Sequence, residues 1–170
     1  MTMLPRLLAL VLAALAALAA CAAPAADGSI RVRGDVASPA AWTAQELERR
    51  FADDVRVVEH VAKSGERTRL RAVPLRALVD ASTPRFDAAR KNHALAFAVV
   101  LRSRDGYAVA YALEEVAPFR REPELYLAFA TADGALDAQA APARLVHVGG
   151  QGGARTPHGI VAVDVVDLAR

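Results

Sequence analysis

The sequence predicts an α+β domain, a compact mixed β-sheet with two or three short helices. Three observations carry this. Short alternating apolar segments recur from Ser29 to Leu168, turn signals such as Asp105-Gly106 and Asp133-Gly134 separate them, and helical spacing of apolar residues is confined to brief stretches. Strands outnumber helices and do not alternate with them, so a regularly wound α/β sheet is excluded. The chain has 170 residues, and the first 20 read as a leader. The remaining 150 suffice for one core and are too few for two comfortable domains.

Ser29–Arg33 is a short alternating strand that ends at Gly34. Thr43 with Glu46 three residues on forms a capping box, and Trp42 with Leu47 forms a hydrophobic staple. Leu47 and Phe51 share a helical face, so 44–52 is an amphipathic helix and Trp42 a packing residue. Val55–Val61 alternates as a strand, Lys63–Glu66 turns, and Thr68–Ala72 returns beside it. Pro74 suits the first position of a helix carrying Leu75, Leu78 and Val79. A charged loop, Ser82–Asn92, leads to Ala94–Arg102, expected as a central strand covered on both faces, with Leu95, Phe97, Val99 and Leu101 on one of them. Tyr107–Tyr111 returns, Leu113–Val116 makes one helical turn, and Leu125–Phe129 is a further strand. Arg144–Val148 and Ile160–Leu168 are strands joined by a glycine-rich loop.

The N-terminus has one basic residue, Arg6, then an apolar run from Leu7 to Ala20. That run is too short to span a hydrocarbon core of about 30 Å comfortably and has the proportions of a secretory signal. Leu18-Ala19-Ala20-Cys21 resembles a bacterial lipobox, which implies acylation of Cys21 and cleavage just before it. The expected organisation is a signal peptide at 1–20, a lipidated Cys21 with a tether to residue 28, and a domain at 29–170. An uncleaved anchor, or a cut at Ala20-Cys21-Ala22 that releases the protein, are the alternatives. Ala22 is not acidic, which favours the outer membrane for a periplasm-facing lipoprotein.

Without Arg6 the body holds 20 Lys+Arg against 19 Asp+Glu, so it is nearly neutral and offers no footprint for nucleic acid. The single cysteine, Cys21, leaves the body without thiol or disulfide. Gly149–Gly153 is followed by a strand, where a phosphate cradle needs a helix N-terminus. His147 and His158 would face each other across a hairpin centred on Gly152 and Gly153, but no third or fourth ligand completes a zinc site. His60 and Glu59 point oppositely on one strand, and His93 is expected exposed at a strand mouth. No serine occupies a nucleophile elbow, and Glu114-Glu115 diverge on a helical turn. No catalytic or metal-ligating residue is therefore assigned. Arg102, Arg104 and Asp105 form the densest polar cluster, able either to bind an anion or to pair among themselves.

Several stretches in order resemble the molybdopterin-binding domain of sulfite-oxidase-like oxidoreductases. They are Val32-Arg33-Gly34 before the Thr43-led helix, Val73-Pro74-Leu75-Arg76-Ala77-Leu78, Ser103-Arg104-Asp105-Gly106-Tyr107, the Leu127–Gly134 strand and turn, and Pro142-Ala143-Arg144-Leu145-Val146. The resemblance covers most of residues 29–168 and implies a pterin lying over strand ends and loops. In active members a cysteine thiolate before Val-Pro-Leu ligates molybdenum. The corresponding stretch here, Val58-Glu59-His60-Val61, has none. Soft sulfur donors hold molybdenum in such sites, and an imidazole is a different ligand. The expectation is therefore a non-catalytic envelope lipoprotein without cofactor, held to the membrane through Cys21. It would bind a small anionic ligand or an envelope protein through His60, Arg102, Arg104, Asp105, Tyr107 and Arg144. The rival is a molybdopterin-dependent oxidoreductase with a non-thiolate metal site.

Overall fold

The computed structural model describes residues 28–116, 124–149 and 153–170. The leader, Cys21 and most of the tether lie outside the described residues, as does the middle of the glycine-rich loop. The chain runs β1 (Ile30–Gly34), β2 (Ala40–Trp42), α1 (Ala44–Arg50), β3 (Arg56–Val61), β4 (Arg67–Pro74) and α2 (Leu75–Ser82). A 3₁₀ turn (His93–Ala96) precedes β5 (Phe97–Ser103), β6 (Ala108–Ala112), α3 (Leu113–Val116), β7 (Leu125–Thr131), β8 (Arg144–His147) and β9 (Ile160–Asp167). The class is α+β, as expected.

The strands form two sheets, ordered β2-β1-β9-β5-β6 and β3-β4-β7-β8. Among the described residues only the β1–β9 pairing is parallel, which makes the larger sheet mixed. One core joins the inner faces of both sheets through Val32, Leu101, Val163, Leu127 and Leu145, with Leu75, Leu78 and Val79 of α2 packed among them. A smaller cluster of Val58, Leu70, Ala72, Ala128 and Val146 lies on the other face of the four-stranded sheet.

Local chemistry explains the best-formed elements. Thr43 Oγ1 accepts the Glu46 N–H at 3.3 Å, and the Glu46 carboxylate accepts the Thr43 N–H at 2.8 Å, so the capping box closes. Trp42 meets Phe51 edge-on at 5.5 Å, and with Leu47 both rings belong to the main core. Gly34 ends β1 at φ +101, where an added Cβ would lie 2.2 Å from the Val165 carbonyl oxygen. No side chain fits there, and the glycine lets β1 close on β9.

Four expectations need correction. Pro74 ends β4 and caps α2 from outside, because its fixed φ also suits an extended residue. Leu95 lies in the 3₁₀ turn, 66% exposed, so the strand begins at Phe97. The second face of β5 joins neither core and carries Val100 and Arg102 beside Asp164 of β9. His93 is buried. Its Nδ1 accepts the Asp87 N–H at 2.8 Å, which leaves Nε2 to donate to Asp167 Oδ2 at 3.2 Å. That carboxyl is held below the usual range, first by the Ala169 N–H.

Candidate functional site

β3 and β8 are opposite edges of the four-stranded sheet, and a groove of about 1500 Å³ opens along both. β3 and the turn after it contribute an unbroken run from Val57 to Lys63, β8 contributes Arg144 and Val146, and the β5–β6 turn contributes Asp105 and Tyr107. Val57, Val61 and Val148 give it partly exposed apolar walls.

His60 and Arg144 meet in this groove. Strand alternation puts His60 on the same face as Val58, and Arg144 on the same face as Val146. Both valines belong to the smaller cluster, so the two polar side chains sit beside an apolar floor. Arg144 Nη2 lies 2.7 Å from His60 Nε2. A guanidinium only donates, so Nε2 is the acceptor and the neutral ring carries its proton on Nδ1. Burial pushes the His60 pKa below 6.5, and the Arg144 charge pushes the same way. Burial also lowers Arg144, opposed by the Asp137 carboxylate. Asp137 is itself held low, chiefly by the Ala140 N–H.

The Arg144 charge is poorly compensated. Its hydrogen-bond acceptor is a neutral ring, and its Nε is buried with no hydrogen-bond partner among the described residues. A buried donor in that state costs about 1–3 kcal/mol. An oxyanion supplies both the missing acceptor and the missing charge, and the Nδ1–H of His60 is a further donor.

Other predicted residues divide. Asp105 and Tyr107 line the groove, but Asp105 accepts the Tyr107 N–H at 3.0 Å and the Tyr107 hydroxyl donates to the Ala154 carbonyl at 2.6 Å. Both therefore shape the groove wall. Arg102 and Arg104 face a separate cleft on the five-stranded sheet. Alternation along β5 turns Arg102 to the outer face, where it binds Asp164 at 2.5 Å, and Arg104 donates to the Gln139 carbonyl at 2.9 Å.

The expected facing of His147 and His158 across a hairpin is not found. β8 and β9 enter different sheets, His158 bridges to Arg144, and His147 sits 3.2 Å from Glu124. Sequence reasoning missed His158 as a groove residue, and gave Arg31 and Arg33 no binding role. The Arg-x-Arg spacing on β1, which sets both on one face, was the available signal.

These features define a two-sheet α+β domain with an arginine–histidine groove. No protein-family model matches the chain, and no curated protein matches it either.

Proposed function

We propose that this chain is an extracytoplasmic lipoprotein, anchored through Cys21, whose domain binds a small anionic ligand in the His60–Arg144 groove without catalysis. The observation that carries the reading is Arg144, whose buried Nε lacks a partner and whose charge rests against a neutral imidazole. Arginine is the side chain best matched to planar or tetrahedral oxyanions, because its rigid fork offers several donors at once. An anion would bind Arg144 and draw the His60 pKa back upward.

The sulfite-oxidase-like resemblance fits the α+β class, but the residues do not fit a molybdenum site. The sole cysteine precedes the domain, and His60, in the stretch where a ligating thiolate is expected, has its Nε2 engaged by Arg144. The chain thus reads as a reduced relative of that domain, with the groove turned to binding.

The test is thermal melting of the full chain against phosphate, sulfate, small carboxylates and a pterin. A ligand that binds the folded state raises the midpoint by mass action. A midpoint raised by at least one anion, with the response strongly weakened in Arg144→Gln, is expected. No response to any of them would remove the proposal.

A further inference from the structure

A second cleft, of about 650 Å³, lies on the outer face of the five-stranded sheet and is lined by Arg31, Arg33, Arg102 and Arg104 together with Gly28. Arg31 and Arg33 share the face of β1 that turns away from buried Ile30 and Val32. Arg102 of β5 reaches the same face across β9. Arg33 Nε binds Asp164 Oδ1 at 2.8 Å, and Arg102 Nε binds Asp164 Oδ2 at 2.5 Å. One carboxylate therefore serves two guanidiniums. Arg104 donates to the carbonyls of Ala138 and Gln139, acceptors that hold its position without cancelling its charge. The Arg104 backbone N–H also donates to the Gly159 carbonyl at 2.9 Å, which fixes the backbone that carries it.

This concentrates positive charge in a chain that is otherwise nearly neutral. The walls are partly apolar, from Leu136, Pro142 and Val161, and low-dielectric walls focus such a field. Guanidiniums that use Nε toward Asp164 retain their Nη donors for a phosphate fork. The cleft also sits where the described chain begins. Gly28 lines it, and Gly28 is seven residues from Cys21. At about 3.3–3.6 Å per residue the fully extended connection spans at most about 25 Å.

We infer that this arginine cleft binds the phosphodiester headgroup of an anionic phospholipid and so docks the five-stranded sheet on the membrane surface. The source of the ligand rests on the anchored reading above, whereas the phosphate chemistry rests on the arginines.

The test uses the full chain in neutral-detergent micelles doped with increasing phosphatidylglycerol, with phosphatidylcholine and inorganic phosphate as parallel arms. The lipid content giving half the rise in melting temperature is read. Phosphatidylglycerol is expected to raise the midpoint and phosphatidylcholine to leave it unmoved. Arg33→Gln and Arg102→Gln should each weaken the response about fivefold, the usual effect of one basic residue at an anionic surface. Each variant leaves Asp164 one arginine partner, and its melting without lipid reports its folding. Arg76→Gln, on the exposed side of α2 and outside both clefts, should respond like the unaltered chain. An equal response to phosphatidylcholine, half-saturation of Arg144→Gln by inorganic phosphate at the same concentration, or full response in both cleft-arginine variants would each overturn the inference. Intact mass of the same preparation reads acylation of Cys21. An acylated protein that ignores phosphatidylglycerol refutes the cleft alone, and an unacylated protein that responds refutes the anchor alone.

Discussion

Arg144→Gln separates a binding arginine from a structural one. The guanidinium is half-buried, hydrogen-bonded to His60 at 2.7 Å, with Nε buried and unpartnered. Removing it forfeits one charged hydrogen bond, about 1.5–3 kcal/mol. It also relieves the desolvation of a partly buried cation, which costs several kcal/mol per ion. The second effect matches or exceeds the first. The ligand-free variant should therefore melt no lower than the parent, and up to roughly 4 °C higher for a gain of about 1 kcal/mol in a domain of this size. Anion affinity should fall about 10- to 150-fold, the equivalent of one charged hydrogen bond. Calorimetric melting with and without phosphate measures both. A ligand-free midpoint lowered by more than roughly 5 °C, with anion affinity intact, would show that Arg144 holds the sheet edges together and binds nothing.

His60 titrates below 6.5 in the folded chain. Between that lowered value and 6.5 the unfolded chain binds more protons, so stability rises with pH across the window and is lost as pH falls through it. His60→Gln should flatten this slope in urea titrations taken across the window, and in the parent anion affinity should tighten as pH drops. Gly34→Ala should cost about 1–2 kcal/mol for the left-handed backbone alone, and more from the 2.2 Å approach to Val165, read as a shift in denaturation midpoint. Thr43→Ala should cost about 1 kcal/mol by the same measurement, through loss of the α1 cap. Cys21→Ser should abolish incorporation of labelled fatty acid and release the protein from the membrane fraction. Continued labelling would place the acyl group elsewhere.

Local rules made much of the fold legible. The Thr43–Glu46 box and the strands β3 and β7 are encoded within a few residues and formed as expected. What failed was long-range. His93 is buried because Asp167, at the end of the last strand, accepts its proton. Nothing near His93 in sequence signals that partner. β8 and β9 read as a hairpin because turn chemistry joins them, yet tertiary packing sends them to different sheets. The His60–Arg144 contact joins opposite edges of one sheet, so it depends on how that sheet curls. Arg102 and Arg104 are neighbours of Asp105 in sequence, and nearness along the chain groups the three. They lie in another cleft because β5 alternates faces at Arg102 and Gly159 draws Arg104 across the sheet end.

The central claim is that the buried Nε of Arg144 awaits an anion. The Arg144 Nε–H resonance, assigned by ¹⁵N labelling against Arg144→Gln, reports that atom alone. During titration with phosphate it should move downfield and saturate as it gains an acceptor. A resonance that stays fixed while the rest of the spectrum responds to the anion would contradict the account.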